Sequence, residues 1–327
     1  MKKSLAISFT LVVLITTALL LYSFSLTGFA NEPVRVASLK GPTSMGLVQM
    51  MNDETIQDNY TFTVSGTPDE IVPLLAKGDL DIALVPCNLA SVLYNRTNAS
   101  VSVAAINNLG VLYVVENGDT VREINDLKGK TVFSTGKGTT PEYAFNTVLL
   151  QNSIDPAADL TIDFKSEATE VASALTEGQI TLAMLPQPFA TAVQAQIPGL
   201  RVALSLSDEW EKVLPESALV TGVVLMRNEF IQSRPDAVNA FLENYRVSTQ
   251  FINDNPAEAS VWIEELGISK APIAEKAIPY CNIVCIEGVE MQSAIEGYLN
   301  ALYAQDPASV GGTLPNEDFY FYAEQAG

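Results

Sequence analysis

Ser65-Gly-Thr-Pro-Asp-Glu-Ile-Val-Pro-Leu-Leu-Ala-Lys-Gly-Asp-Leu-Asp-Ile-Ala-Leu-Val-Pro86 and Lys165-Ser-Glu-Ala-Thr-Glu-Val-Ala-Ser-Ala-Leu-Thr-Glu-Gly-Gln-Ile-Thr-Leu-Ala-Met-Leu-Pro186 are two versions of one 22-residue unit, set 100 positions apart. Five pairs are identical in register: Glu70/Glu170, Leu75/Leu175, Gly78/Gly178, Ala83/Ala183 and Pro86/Pro186. Ile71/Val171, Leu80/Ile180 and the run Ile82-Ala-Leu-Val85 against Leu182-Ala-Met-Leu185 keep apolar character. Each copy reads as an amphipathic helix, a glycine C-cap and a short apolar strand halted by proline, which has no N–H with which to continue a ladder. Two copies are too few for a solenoid, so the unit predicts an α/β chain of two matched lobes with a cleft between them.

Outward from the repeat, Val34-Arg-Val-Ala-Ser-Leu39 predicts a first strand, Gly41-Pro42-Thr43-Ser44 a turn, and 45–51 a helical run. Residues 61–64 predict a second strand, with Thr67 as N-cap of the first repeat helix and Pro68, Asp69 and Glu70 in its first turn. Cys87-Asn88-Leu89 opens another helix. Residues 111–116 read as a strand leading through a helix-like 121–126 to a strand at 131–134, and Gly136-Lys137-Gly138-Thr139-Thr140-Pro141-Glu142 starts a helix reaching about Gln151. From Asn228 onward only amphipathic helices are expected, at 235–253, 256–265 and 288–303. The division this gives is residues 31–116 plus 222–327 as lobe I, with 117–221 inserted as lobe II. Two crossings between lobes favour hinge bending.

Residues 1–30 follow the plan of a secretory signal: Lys2-Lys3, an apolar run, then Gly28-Phe29-Ala30. Cleavage after Ala30 is expected; the uncharged stretch from Ser4 to Phe29 also has the length of an uncleaved membrane anchor. Leu26-Thr27-Gly28 precedes Phe29 where lipid attachment requires a cysteine. The whole chain carries −20, and since residues 1–30 hold two lysines and no acid, the remainder carries −22. A surface this acidic repels nucleic acid and anionic headgroups and gives no steering toward an anion.

The chain has no histidine, which removes the commonest general base and metal ligand and argues against an exported enzyme. A Cys87 nucleophile is the remaining catalytic option. Cys281 and Cys285 pair only if their Cα atoms come within about 7 Å. No metal cluster is visible, and the glycines at 136–138 lack Walker or dinucleotide spacing, so neither metal nor cofactor is expected. Sequons at Asn59, Asn95 and Asn98 read as chance.

In open α/β sheets ligands sit beyond the carboxyl ends of strands. Five segments fit that place: 40–44, 65–68, 86–88, 136–142 and 186–189. At Gly41-Pro42-Thr43-Ser44-Met45-Gly46, Gly78 to Asn88, Asp126-Leu-Lys-Gly-Lys130, Gly178 to Phe189 and the tail Gly311-Gly-Thr-Leu-Pro315, the chain resembles the substrate-binding proteins of ABC importers, in the group named for nitrate, sulfonate and taurine uptake. The resemblance implies a bilobal type II periplasmic-binding-protein fold without catalysis, working as a monomer outside the cytoplasm. Its partners would be a small polar or anionic organic solute, sulfonate-like or heterocyclic, and a membrane permease with its ATPase.

Carried over by position, the resemblance implies polar ligand contacts at Thr43, Ser44 and Ser65, at Asn88, at Thr139 and Thr140, and at Gln187, with Gly138 and Pro188 beside them. Gly41, Pro42 and Cys87, then Lys137, Glu142, Tyr143 and Phe189, form a wider ring. Plainer roles stand beside these: Thr43, Thr67 and Thr140 as helix caps, Lys40 and Lys137 as solvated charges, Tyr143 and Phe189 as core aromatics. A membrane-tethered metabolite sensor is the alternative to import.

Overall fold

The computed structural model describes residues 32–323, so the expected signal segment lies outside the described residues. The first part of the chain forms β1 (Val34–Leu39), α1 (Pro42–Met45), α2 (Val48–Asn52), β2 (Tyr60–Ser65), α3 (Pro68–Lys77), β3 (Ile82–Pro86), α4 (Cys87–Arg96) and β4 (Val101–Leu109). The middle forms β5 (Leu112–Glu116), β6 (Thr131–Thr135), α5 (Thr140–Gln151), β7 (Thr161–Lys165), α6 (Ala168–Thr176), β8 (Leu182–Pro186), α7 (Phe189–Gln196), β9 (Arg201–Ser205) and α8 (Leu206–Val213). The last part returns through β10 (Val220–Arg227), α9 (Asn228–Ser233), α10 (Pro235–Asp254), α11 (Pro256–Glu265), α12 (Ala271–Ala277), β11 (Ile283–Ile286) and α13 (Gly288–Gln305).

Two sheets result, ordered β2-β1-β3-β10-β4-β11 and β7-β6-β8-β5-β9. The shared core of this order is the repeat made three-dimensional. In each sheet the first strand of the lobe lies parallel between the second and third, and a strand arriving from the other lobe, β10 or β5, inserts antiparallel beside the third. The two copies therefore place Pro86 opposite Gly222 and Pro186 opposite Leu112, at matching sheet edges.

The five repeat identities each have a structural cause. Leu75 and Leu175 are buried under their sheets, and Ala83 and Ala183 are fully buried where neighbouring strands press from both sides. Gly78 and Gly178 adopt φ of 83° and 71°, the left-handed turn that ends each helix. Glu70 and Glu170 turn back to accept the backbone N–H of Gly66 and Ser166, at 3.2 and 3.3 Å. Thr67 stands at the N-cap position of α3, but its side chain makes no capping bond; Glu70 bonds instead to Gly66, one residue ahead of the cap.

Alternation buries both faces of the first sheet. Ile82 and Leu84 join Val36, Phe241 and Tyr245 under α10, while Ala83 and Val85 face the larger core shared with α13 and α5. Such two-sided burial is why parallel strands read as continuous apolar runs.

Several expectations shift. The helix expected over 45–51 is two short helices parted at Gly46 and Leu47, and a 3-10 turn, Ile124–Leu127, replaces the helix-like 121–126. Residues 112–116 belong to the second sheet, so the first crossing falls at Gly110 and Val111, before β5 and not after Glu116 as the expected boundary had it. The second crossing is 214–219. A strand, β11, interrupts the helical C-terminal third and pairs with the outer edge of β4. Cys281 and Cys285 are free thiols: Cys281 is buried with α11 and α12, whereas Cys285 packs toward α10 and donates to Glu287 Oε1 at 3.3 Å.

Candidate functional site

The carboxyl ends of β1, β3, β6 and β8 converge on one cavity of about 150 Å³. The first lobe contributes Pro42 and Thr43 from the start of α1 and Pro86 from the end of β3. The second contributes Thr140 and Pro141 from the start of α5 and Pro186 from the end of β8. The back wall is built by the crossings: Asn108 at the end of β4, Val111 and Leu112, and Thr221 on β10. Neighbouring residues of the same crossings, Leu109, Gly110, Ala218 and Leu219, face the other way onto a groove of about 550 Å³ beside Trp210 and Tyr280. That rear groove is larger, but it gathers none of the repeat strand ends.

The crossings touch. A methyl group on Gly110 would meet the Ser207 hydroxyl at 2.1 Å and Leu219 at 2.8 Å, so glycine is what lets the two segments run side by side. Tyr113, just past the crossing, donates to the Tyr280 carbonyl at 2.9 Å, and burial pushes its phenol up to about 12.

Of the residues singled out in the sequence, Thr43, Thr140 and Pro42 line the cavity. Asn88 lies one layer behind. Its amide oxygen accepts the Thr140 hydroxyl at 2.9 Å and its amide nitrogen donates to the Ser309 carbonyl at 3.3 Å, so it bridges the lobes and the tail. Gln187 is buried and turned into its own helix, where its oxygen accepts the Thr191 hydroxyl at 2.8 Å; the bond from Gln187 to the buried Pro188 is cis. Ser44 is buried and donates to the Gly41 carbonyl at 3.0 Å. Ser65 is buried at the end of β2, where its carbonyl accepts the Lys40 N–H at 2.9 Å.

The loop before α5 is largely self-satisfied. Thr139 and Gly138 are exposed; the Thr139 hydroxyl donates to the Gly136 carbonyl at 2.6 Å, and Glu142 accepts the Gly138 N–H. Lys40 and Lys137 are exposed and outside the cavity lining. Tyr143 reaches Asp306 Oδ2 at 3.4 Å, Phe189 packs on the second-sheet core, and Gly41 takes φ of 122° at the turn into α1. Cys87 is fully buried, and burial pushes its thiol up, away from nucleophilic reactivity.

Asn108 and Thr221 were not anticipated. The Asn108 amide donates to the Thr221 hydroxyl at 2.6 Å, that hydroxyl donates to the Leu109 carbonyl at 2.6 Å, and the Asn108 oxygen is buried without a partner. The available signal was two consecutive amides, Asn107-Asn108, in an otherwise apolar run from Val101, where buried polar groups call for a reason. Among the described residues no cluster of acidic or thiol side chains has the arrangement of a metal site, and no helix is long and apolar enough to cross a membrane.

Residues 62–259 match the family model described as NMT1/THI5 like. No curated protein matches the chain. Among solved structures, an ABC transporter protein from Parabacteroides distasonis is 25% identical with a TM-score of 0.75, covering 88% of this chain and 98% of its own. The periplasmic aliphatic sulphonate binding protein SsuA from Escherichia coli is 13% identical with a TM-score of 0.69, covering 87% and 92%. The ligand binding component of an ABC-type import system from Staphylococcus aureus, solved with zinc bound, is 15% identical with a TM-score of 0.67, covering 89% and 97%. At those two identities the likeness is one of fold.

Proposed function

The chain belongs to the NMT1/THI5-like family, and on that premise we propose that it is the solute-binding component of an ABC importer. In this reading a small molecule enters between the lobes, the lobes close on it about the crossings at Gly110 and 214–219, and the closed form docks on a membrane permease driven by an ATPase. The observation that carries the reading is the convergence of the strand-ending Pro86 and Pro186, one from each copy of the repeat, on a single cavity. Binding sites of open α/β sheets lie at such carboxyl edges, and a site divided between two lobes makes ligand affinity and lobe closure one equilibrium.

Thr43 and Thr140 are the proposed direct contacts, with Asn88 holding Thr140 in place and Asn108 and Thr221 forming the back wall. The role is binding rather than catalysis: the cavity lining offers neutral hydroxyl and amide groups, and the one cysteine beside it, Cys87, is buried with its thiol pushed up. The protein works outside the cytoplasm as a monomer, delivered there by residues 1–30.

The test is a thermal-shift screen of the full chain over sulfonates, nitrate, amino acids and pyrimidines, followed by solution scattering with any hit. A ligand present at about 100 times its Kd should add about 2.7 kcal/mol of stability, and the particle should compact. A hit that stabilises the protein with an unchanged scattering profile counts against closure, and an empty screen counts against the binding role.

A further inference from the structure

We infer that the solute held in this cavity is an uncharged, hydrogen-bonding organic molecule, and not a sulfonate or other anion. The inference rests on the solute-binding reading above and names the chemistry of that same site.

A clamshell of this topology would ordinarily offer an anion the free N–H groups at its helix N-termini. Here two of those positions are prolines. Pro42 and Pro141 occupy the first turns of α1 and α5, where the pyrrolidine ring replaces an N–H, and both rings line the cavity. Pro86 and Pro186 bring two more rings to the same wall at the strand ends. Several N–H groups of the turns before α1 and α5 are already taken: Gly138 donates to the Glu142 carboxylate, Ser44 to the Gly41 carbonyl at 3.1 Å, and Thr139 to the Gly136 carbonyl at 3.0 Å.

The rest of the lining points the same way. Its polar members are the neutral Thr43, Asn108, Thr140 and Thr221, and the chain around it carries −20. With proline rings on both walls and Val111 and Leu112 behind, the cavity favours an apolar body carrying a polar edge.

The deciding experiment uses matched pairs of equal shape: benzamide against benzoate, and benzenesulfonamide against benzenesulfonate, titrated calorimetrically into the full chain at pH 7. The uncharged member of each pair should bind at least about tenfold more tightly, and Thr43→Val should weaken it about tenfold or more. The double variant Pro42→Ala/Pro141→Ala, which returns two N–H groups, should gain about tenfold in affinity for benzenesulfonate. Benzenesulfonate binding the parent protein as tightly as its amide, in a manner lost in Thr43→Val, overturns this inference and leaves the solute-binding reading standing. Equal sulfonate affinity in parent and double variant overturns the role given to the prolines. Binding in neither arm, with scattering unchanged, overturns both readings.

Discussion

The Thr140 hydroxyl donates to the Asn88 amide oxygen across 2.9 Å, and this bond ties the first turn of α5 in one lobe to the first turn of α4 in the other. It sits directly behind the cavity wall. A contact that exists only when the lobes are together biases the open-closed equilibrium by its own net free energy.

Asn88→Ala should therefore weaken solute binding by about 1 kcal/mol, roughly fivefold, through loss of closed state rather than loss of a direct contact. Scattering of the ligand-free variant should give a larger radius of gyration than the parent. An unchanged radius with unchanged affinity would remove the clasp from the mechanism.

Gly222→Ala should be costly for a steric reason. A methyl group there would stand 2.1 Å from the Asn108 oxygen and 2.2 Å from the Asn107 oxygen, both buried and without partners. Overpacking of this kind costs about 1–3 kcal/mol, read as a lower urea midpoint at constant m-value. Gly222→Ser should be no better, since the clash begins at Cβ.

Acid should unfold the second lobe partly through Glu116. Burial raises this carboxyl's pKa, but hydrogen bonds from Thr120 and Val121 and the charge of Arg201 outweigh it and hold it below the ordinary value. A depressed carboxylate contributes stability that is present above the unfolded-state value, about 4.3, and is lost as pH falls through the folded value. Urea midpoints measured from pH 6 to pH 3 should fall less steeply in Glu116→Gln than in the parent. Arg201→Ala, which leaves the carboxylate its bonds from Thr120 and Val121, should cost about 1.5 kcal/mol at pH 7.

Cys87 and Cys281 should resist iodoacetamide at pH 8 in the folded protein and react in urea. Both are fully buried, and burial pushes both thiols up. Modification of native Cys87 would reopen the nucleophile reading.

The repeat carried most of the fold: Glu70/Glu170, Gly78/Gly178 and Pro86/Pro186 lie at equivalent points of the two sheets because each solves the same local problem twice. Of the segments that carried the family resemblance, Gly78 to Asn88, 126–130 and Gly178 to Phe189 fall within the NMT1/THI5-like match over 62–259. Strand β4 escaped reading because it is buried on both faces, without alternation, and contains two asparagines, which are poor strand formers. Strand β11 escaped because four residues between a 3-10 turn and a long helix carry too little periodicity. Within the site, the loop positions of Thr43 and Thr140 were legible, but the inward turn of Ser44 and Gln187 was not. Which atom a side chain bonds depends on neighbours distant in sequence, as Asn88 does on Ser309.

The crossings at Gly110 and 214–219 stand between the front cavity and the rear groove of Trp210 and Tyr280, so they act as the fulcrum of a see-saw. On the closure proposed above, a pivot there that widens one hollow narrows the other. A compound lodged at the back would work as a doorstop, obstructing release of the cargo without ever touching it.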